Sequence, residues 1–429
     1  MAKPQMAVRI NYVNPFLSSI VRLSLAIEKW FAVALYFYFT EPFLALYAKE
    51  GYKWTDRVSF YLEKLLLLIV ICLLLARWKQ SLLILSKGKL LLLFVGITII
   101  STLWSDFPSD TQKQAMSLAE STLFGVYFAS RYSFKEQTRM ITLAFVIASI
   151  FSILYVFGLP KFGITQVGGN AGNWRGIFVH KNTLGRMMVI AGLFFLTTAF
   201  SNKRNWMVLV CLGIAVQLIL GTNSKSALVS FIFLIAILPL YRIFRWNSII
   251  SIPLYIIVVL TGGTAAQMLA DNWNAALASI DKDPNLNGRI PIWQIVIERI
   301  QERPWLGYGY DGFWHGWEGK WSASLWRTIT WLPDQAHNGF LDVVLELGLV
   351  GGIIFAILFG NAIFRSVEWI RLNRTLETFW PLAYMTYYVL MNMTQSILVT
   401  PYTFVWLIFV MISLTPVVDI YKNNEKYEK

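Results

Sequence analysis

The sequence predicts an all-α polytopic membrane protein, and three observations support this. Apolar residues make up 56% of the 429 residues and charged residues only 14%, whereas soluble domains carry about a quarter charged residues. Apolar runs of roughly 20 residues, the length of a membrane-spanning helix, recur along the whole chain. The mean hydropathy is +0.55. We therefore expect a single integral membrane domain that comprises residues 1–429.

About twelve transmembrane helices are expected. Residues 1–27 are of mixed polarity and are expected to lie along the inner membrane surface. The predicted spans lie near residues 28–47, 60–78, 88–104, 112–130, 138–158, 182–200, 205–221, 225–241, 248–269, 349–368, 378–396 and 401–420.

Lysine and arginine residues predict the orientation of these spans. With the N-terminus in the cytoplasm, every inner segment is basic, as the excess of positive charge on cytoplasmic loops requires. One outer segment, with Lys49, Lys53 and Arg57, opposes this orientation and is outweighed by the others. Both termini are therefore expected in the cytoplasm. The net charge of +13 is scattered over short loops, which argues against a nucleic-acid partner.

This orientation places three polar segments on the outer face. Residues 159–181 contain GGNAGNWRGIFVHKN, and residues 221–225 form a turn within GTNSKS. Residues 270–337 form a large external loop between spans 9 and 10, which we expect to carry part of the active site.

The large external loop is rich in aromatic residues. Residues 290–303 are predicted to form an amphipathic helix in the membrane interface, with Trp293, Ile297 and Ile300 on one face. Eight tryptophans lie in this loop, and an aromatic belt at the membrane surface is one explanation for them. Sugar recognition is the other, because flat rings pack against the apolar faces of pyranoses.

His337 is the candidate catalytic base. It is one of only three histidines, and it stands where a polar turn meets an apolar helix in WLPDQAHNGFLDVVLELGLVGG, residues 331–352. The partial positive charge of a helix N-terminus disfavours the imidazolium, so a neutral ring here would accept a proton near pH 7. The alternative is that His337 only helps to cap the helix.

Four cations at the outer surface are candidates to bind an anion: Arg175, Lys181, Lys225 and Arg289. Arginine suits phosphate, because its planar guanidinium donates two parallel hydrogen bonds. The alternative is that such cations anchor lipid headgroups, and we favour this for Lys161. Near Arg175 and Arg289, neighbouring Gly and Asn residues indicate a close backbone approach and favour the anion.

Four further residues are expected to contact the substrate: Trp174, His180, Trp314 and Asn338. Familiar cofactor and metal motifs are missing from the sequence, since it has no Walker P-loop, CxxC pair or HExxH. The DKDPNLNG segment lacks the glycine and the glutamate of a calcium loop. We therefore expect no metal site and no cofactor.

Three sequence blocks, in this order, resemble the O-antigen ligase and polysaccharide polymerase family of bacterial membrane proteins. They are WRGIFVHKNTLG, NGRIPIWQIVIERIQERPWLGYGYDGFW and AHNGFLDVVLELGLVGG. The last block resembles the family's histidine–asparagine signature at the end of a large external loop. The resemblance is close over about residues 175–352 and extends to the rest of the chain in topology.

The resemblance implies a glycosyltransferase of the C-type fold in the bacterial inner membrane, with its active site facing the periplasm or exterior. It implies transfer of a glycan from an undecaprenyl-diphosphate carrier to a glycan or lipid-core acceptor, without a metal ion and with inversion of the anomeric centre. Arg175 and Arg289 match arginines that would hold the diphosphate, and His337 matches the histidine that would take the acceptor proton. Lys225 stands where relatives often have arginine, and lysine cannot make the bidentate contact.

Two versions of the transferase and one function of another class stay open. A polymerase of exopolysaccharide is slightly favoured over a ligase of lipopolysaccharide, because GIFVHKN most resembles exopolysaccharide polymerases. A transporter or lipid-carrier flippase is the alternative, because twelve spans fit it equally well. Transporters tend to place ionisable residues near the membrane midplane, whereas these spans look nearly bare of charge, which favours the transferase.

Overall fold

The expectation of an all-α protein is confirmed by the structure, a computed structural model that describes residues 15–43, 53–166, 168–201, 206–239, 248–271, 289–328, 332–372 and 376–427. Within these residues the chain forms helices and no strand, apart from a single antiparallel bridge between Ile164 and Trp174. The helices are α1 Pro15–Phe39, α2 Lys53–Ala76, α3 Trp78–Lys87, α4 Lys89–Ile100, α5 Pro108–Arg131, α6 Phe134–Gly158, α7 Pro160–Gly163, α8 Lys181–Ser201, α9 Trp206–Gly221, α10 Lys225–Ile237, α11 Ser248–Ile257, α12 Gly263–Asp271, α13 Arg289–Glu302, α14 Lys320–Thr328, α15 Gly339–Leu372, α16 Trp380–Asn392 and α17 Phe404–Tyr427.

Five of the described helices are long and apolar enough to cross a membrane. They lie at Val58–Ala76, Phe134–Gly158, Lys181–Ala199, Ile249–Met268 and Gly339–Arg371. Helices α3 and α4 together make a sixth candidate, although the chain bends by 82° between them. Helices α9 and α10 and the first half of α17 are apolar but shorter. The chain thus has the helices of a multi-pass membrane protein, and the number twelve stays a prediction.

The interior is organised around α16 and the first half of α17. Every residue of α16 is buried, and Tyr388 of this helix stacks on Phe409 of α17 with ring centroids 5.3 Å apart. The buried indole of Trp406 in α17 donates a hydrogen bond to Thr122 of α5 (3.0 Å). Because its 13 residues extend only about 20 Å, α16 is too short to cross a hydrocarbon layer of about 30 Å.

Helix α15 is broken at Gly348, whose φ is 64° and ψ is −169°. A Cβ at this position would lie 2.3 Å from the backbone of Trp305, so the close approach of the two chains requires glycine. The amides of Leu349 and Val350 donate to the carbonyls of Pro304 and Trp305 (2.7 and 3.2 Å). The segment that follows α13 therefore docks on the break in α15.

A second, smaller core lies within the large external loop. The predicted amphipathic helix is present as α13, and its position in the membrane interface stays a prediction. Ile292 and Val296 are buried, whereas Ile297 is 45% exposed. Helix α13 packs against α15, and residues of the external loop complete this core. The buried residues of this core are Ile292, Val296, Tyr308, Phe313, Leu325, Ala336 and Leu345.

Candidate active site

His337 lies just before α15, as predicted, but another residue caps that helix. The side-chain oxygen of Asn338 accepts hydrogen bonds from the amides of Phe340 (3.1 Å) and Leu341 (3.3 Å), which is the geometry of an N-cap. His337 itself has a φ of 52°, in the left-handed region that residues other than glycine rarely adopt. The capping role that the sequence left open for His337 therefore belongs to Asn338.

The turn between α16 and α17 holds the His337 segment in place. The Oγ of Ser396 accepts a hydrogen bond from the amide of Asn338 (3.1 Å), and the amide of Ser396 donates to Oε1 of Gln335 (2.8 Å). The backbone of Thr394 also forms a hydrogen bond with the imidazole of His337. Residues on both sides of His337 are thus anchored to one turn, which fixes the position of the ring.

His337 lines a cavity of about 340 Å³, which we call the cationic pocket. The pocket brings together the N-terminus of α13, the segment before α8 and the segment before α15. No Asp or Glu is found among the described residues that line it, and so its charge is positive. Two histidines and two arginines are in its wall: His180, Arg186, Arg289 and His337.

The environment of His337 favours its neutral form. Burial and the positive charge of Arg289 lower the pKa of His337, whereas the charge of Asp334 and the hydrogen bond with the Thr394 backbone act in the opposite direction. The sequence had attributed a low pKa to the helix N-terminus, and the structure gives burial as the largest cause. The neutral imidazole can accept a proton near pH 7.

His180 is a second neutral imidazole in the wall of the cationic pocket. Its Nδ1 accepts a hydrogen bond from the amide of Asn182 (3.1 Å), and its Nε2 lies 3.5 Å from Nδ2 of Asn170. Burial and the charges of Lys181 and Arg186 lower the pKa of His180. A contact of His180 with the substrate stays a prediction.

Arg175 and Trp174 are not among the described residues that line the cationic pocket. The Nε of Arg175 donates to the carbonyl of Phe162 (2.8 Å) and closes the loop in which both residues lie. The indole of Trp174 packs on Gly221, where a Cβ would lie 2.1 Å from the ring. Both side chains thus hold the first outer segment together, and their predicted contacts with diphosphate and substrate stay predictions.

Lys181 and Lys225 begin α8 and α10, and their charges are close enough to repel each other. Neither residue is among the described residues of the pocket wall, but Ser224 and Ser226 on either side of Lys225 are. The predicted turn therefore contributes to the pocket through its hydroxyl groups, and contacts of the two lysines with a diphosphate stay predictions.

Sequence reasoning missed Arg186. This arginine lies in α8 and lines the cationic pocket, where its Nη1 donates to Oε1 of Gln395 (2.8 Å). Arg186 is an exception to the expectation that the spans are nearly bare of charge, and so are Asp342 and Glu346 in the candidate span of α15, which begins earlier than the predicted span 349–368. A signal was available, because an ionisable residue in an apolar span marks a functional site by default.

A second cavity of about 360 Å³, which we call the acidic pocket, shares Gln335 with the cationic pocket. Burial raises the pKa of the Asp311 carboxyl, against the opposing effect of His315. The pocket is polar and is lined by acidic residues, in contrast to its neighbour. Four carboxyl groups line it: those of Asp311, Asp334, Asp342 and Glu346.

Trp314 lies at the acidic pocket and not among the described residues that line the cationic pocket. Its indole donates to Oδ1 of Asp342 (2.9 Å), and that carboxylate also accepts the amide of Ala336 (3.1 Å). The position next to His337 in the chain is thus tied to the wall of the acidic pocket, while a substrate contact of Trp314 stays a prediction.

Comparisons with known proteins agree with this arrangement. Residues 210–356 match the family model described as O-antigen ligase. The exopolysaccharide production protein ExoQ of Rhizobium meliloti is 24% identical over 288 residues, which cover 64% of this chain and 64% of that protein, just under two thirds of its length. A candidate polysaccharide ligase of Rickettsia conorii is 35% identical over 74 residues, 17% of this chain and 18% of that protein. The resemblance to the O-antigen ligase-like family is thereby confirmed, and the residues that match the family model include Arg289 and His337.

Proposed function

We propose that this protein is a membrane glycosyltransferase that moves a glycan from an undecaprenyl-diphosphate carrier to an acceptor hydroxyl. The observation that carries the proposal is the presence of Arg289 and His337 in one pocket, within the residues that match the O-antigen ligase family. The reaction needs a cation for the leaving diphosphate and a base for the hydroxyl, and these two side chains supply them.

The diphosphate of the donor binds in the cationic pocket in this proposal. The volume of about 340 Å³ lies within the range of small-molecule pockets, about 300–1,000 Å³. Arg289 offers the guanidinium fork that matches a phosphate group. Arg175, Lys181 and Lys225 remain proposed as further diphosphate contacts, because all three lie on segments that adjoin the pocket.

In the proposed step, the acceptor hydroxyl oxygen attacks the anomeric carbon while the bond from that carbon to the diphosphate oxygen breaks. His337 takes the hydroxyl proton, and the electron pair of the broken bond leaves on the diphosphate, whose charge Arg289 stabilises. Attack from the face opposite the leaving group inverts the anomeric centre. Because a lipid diphosphate is already a good leaving group, the scheme requires no general acid and no metal ion.

The acceptor sugar binds in the acidic pocket in this proposal. Carboxyl groups form hydrogen bonds with sugar hydroxyls, and this pocket offers no cation to a diphosphate among the described residues that line it. Gln335 is common to both pockets and lies two residues before His337, so an acceptor held there presents a hydroxyl near the base. Trp314 provides an aromatic surface at the same wall. Trp174, His180 and Asn338 remain proposed as further substrate contacts.

The proposed arrangement in the membrane has twelve spans of the C-type glycosyltransferase fold, with both termini in the cytoplasm. Residues 270–337 form the large external loop, and the active site faces the periplasm or exterior of the inner membrane. Basic residues in the predicted inner segments support this orientation. The family match disfavours a transporter or flippase. The near absence of charge in the spans is a weaker argument, because Arg186 lies in one of them.

The acceptor distinguishes two versions of the function. A polymerase of exported polysaccharide is slightly favoured, because the longer alignment is with an exopolysaccharide production protein. A ligase that attaches the glycan to a lipid core is the second candidate, because the matching family is described as O-antigen ligase and the second relative as a polysaccharide ligase.

The test is turnover by the purified protein with undecaprenyl-diphosphate-linked oligosaccharide, with and without a lipid-core acceptor. His337→Gln should lower the rate at least about 10²–10⁴-fold. The control is His315→Gln. The ring of His315 stacks on that of Phe107 with centroids 3.7 Å apart, and His315 is not among the described residues that line the cationic pocket. Full product from His337→Gln would remove the assignment of the base, and no product from the native protein with either acceptor would reject the proposed reaction.

A further inference from the structure

Arg186 is a cation to which the proposed reaction assigns no role. It lies within the candidate span Lys181–Ala199 and lines the cationic pocket together with Arg289 and His337. A charged side chain within a membrane span is costly, and such residues face a cavity or a partner. The cationic pocket is the cavity that Arg186 faces.

The guanidinium of Arg186 is only partly satisfied by the residues that the structure describes. Nη1 donates to Oε1 of Gln395 (2.8 Å), whereas Nε is buried and has no hydrogen-bond partner there. Glu41 attracts the guanidinium electrostatically, but no ion pair between the two side chains occurs among the described contacts. A buried donor without an acceptor costs free energy, and an anion in the pocket would remove this cost.

We propose that Arg186 binds the diphosphate of the donor from α8, while Arg289 binds it from α13. This inference rests on the proposed function and names a group that holds its donor. Gln395 also lines the pocket, and its amide oxygen orients one edge of the guanidinium. The other donors of the fork can then meet phosphate oxygens in the bidentate geometry that arginine favours.

Arg186 is better placed for this role than Arg175. The Nε of Arg175 is engaged with the Phe162 carbonyl, and Arg175 is not among the described residues of the pocket wall. Arg186 lies in that wall and has a donor without a partner in the described structure. A binding residue inside the span would also hold the diphosphate at the depth of a membrane-embedded carrier.

The experiment measures the Kd of undecaprenyl diphosphate for the purified full-length protein by titration calorimetry. Arg186→Met, which removes the charge at similar side-chain length, should weaken binding roughly tenfold or more. The Kd of Arg186→Lys, which keeps the charge and loses the guanidinium fork, should lie between the Kd of Arg186→Met and that of the native protein. The control is Arg303→Met, because Arg303 pairs with Asp106 (3.2 Å) in the external loop and should leave the Kd unchanged.

The melting temperature of each ligand-free variant distinguishes binding from support of the fold. A lower melting temperature with an unchanged Kd in Arg186→Met would overturn the inference while leaving the proposed function intact. If Arg186→Met does not fold, the Kd values of Arg186→Lys and Gln395→Ala test the inference. An unchanged Kd in both variants would overturn the inference equally. Absence of binding by the native protein would reject the diphosphate donor itself.

Discussion

The imidazole of His337 experiences charges of opposite sign. Arg289, together with burial, favours the neutral ring, and Asp334 favours the imidazolium. The net effect holds the pKa of His337 below the usual value of 6.5. A general base must be unprotonated at the working pH, and burial together with Arg289 favours this state, while Asp334 opposes a further fall of the pKa.

The transfer rate should therefore fall as pH drops through the pKa of His337, at a pH below the usual histidine range. Only the neutral ring takes the acceptor proton, so activity is full above this pKa and lost below it. Asp334→Asn should move the acid limb of kcat/KM to lower pH, and Arg289→Gln should move it to higher pH while weakening donor binding. An acid limb that stays in place in both variants would mean that another group titrates.

Asn338 tests whether a residue of the signature binds substrate or only supports the helix. Asn338→Asp keeps the oxygen that accepts the amides of Phe340 and Leu341, so it should retain most of the stability, but it loses the amide donor and should lower kcat if the proposed substrate contact exists. Asn338→Ala removes the cap and should cost about 0.5–2 kcal/mol, seen as a lower apparent melting temperature. An unchanged kcat for Asn338→Asp would limit Asn338 to its capping role and contradict the proposed substrate contact.

His337 and Arg289 could be predicted because each stands at a visible boundary between a polar loop and a helix. Arg186 could not be assigned to the pocket in this way. Its contact with Gln395 joins residues 209 positions apart, and the packing of α8 against the turn after α16 creates that contact. Local patterns carry no information about such packing, and the one available signal was the charge within an apolar run.

Helix α15 links the catalytic segment to the large external loop. The amides of Tyr308 and Gly309 donate to the carbonyls of Leu345 and Glu346 (3.1 and 2.8 Å), which lie just before the break at Gly348. Carbonyls at an interrupted helix lack partners within the helix, and the external loop satisfies them. One helix therefore begins at the candidate base and holds the external loop two turns later.

Gly348→Ala should disrupt this docking. The substitution forces a left-handed φ of 64° on a residue with a Cβ, which would also meet the Trp305 backbone at 2.3 Å. We expect a loss of about 1–3 kcal/mol, a lower apparent melting temperature and faster proteolysis near Trp305. The matched control is Gly360→Ala in the same helix, where nothing lies within 4 Å. Equal behaviour of the two variants would contradict the docking role of Gly348.

The helices could be predicted from apolar runs more reliably than their ends. Helix α6 begins at Phe134, where Ser133 and Glu136 form a capping box, and the predicted span 138–158 lies within it. Helix α16 ends at Asn392, although the predicted span continues to residue 396. The chain leaves the helix and thereby brings Ser396 to the His337 segment. No strong helix-stop signal in the sequence predicts this end, because a tertiary contact determines it.

Two adjoining pockets of different polar character give the molecule a means to separate its substrates. A diphosphate is attracted to the cationic pocket, whereas the carboxyl groups of the acidic pocket offer hydrogen bonds to an uncharged sugar. The number of spans in the whole molecule does not follow from the apolar runs alone, because a short apolar run fits a buried helix as well as a spanning one. Helix α16, with 13 buried residues, illustrates this ambiguity.

The proposed orientation predicts which surfaces a membrane-impermeant maleimide reaches in intact cells. With Cys72 and Cys211 replaced by alanine, Glu318→Cys in the external loop should be labelled from outside, because Glu318 is exposed. Lys135→Cys, also at an exposed position but in a predicted inner segment, should be labelled only after the membrane is permeabilised. Basic residues are retained on the cytoplasmic side, so the two sites should behave oppositely. Labelling of Lys135→Cys in intact cells, with Glu318→Cys protected, would invert the orientation and place the candidate base on the side where the proposed donor is absent.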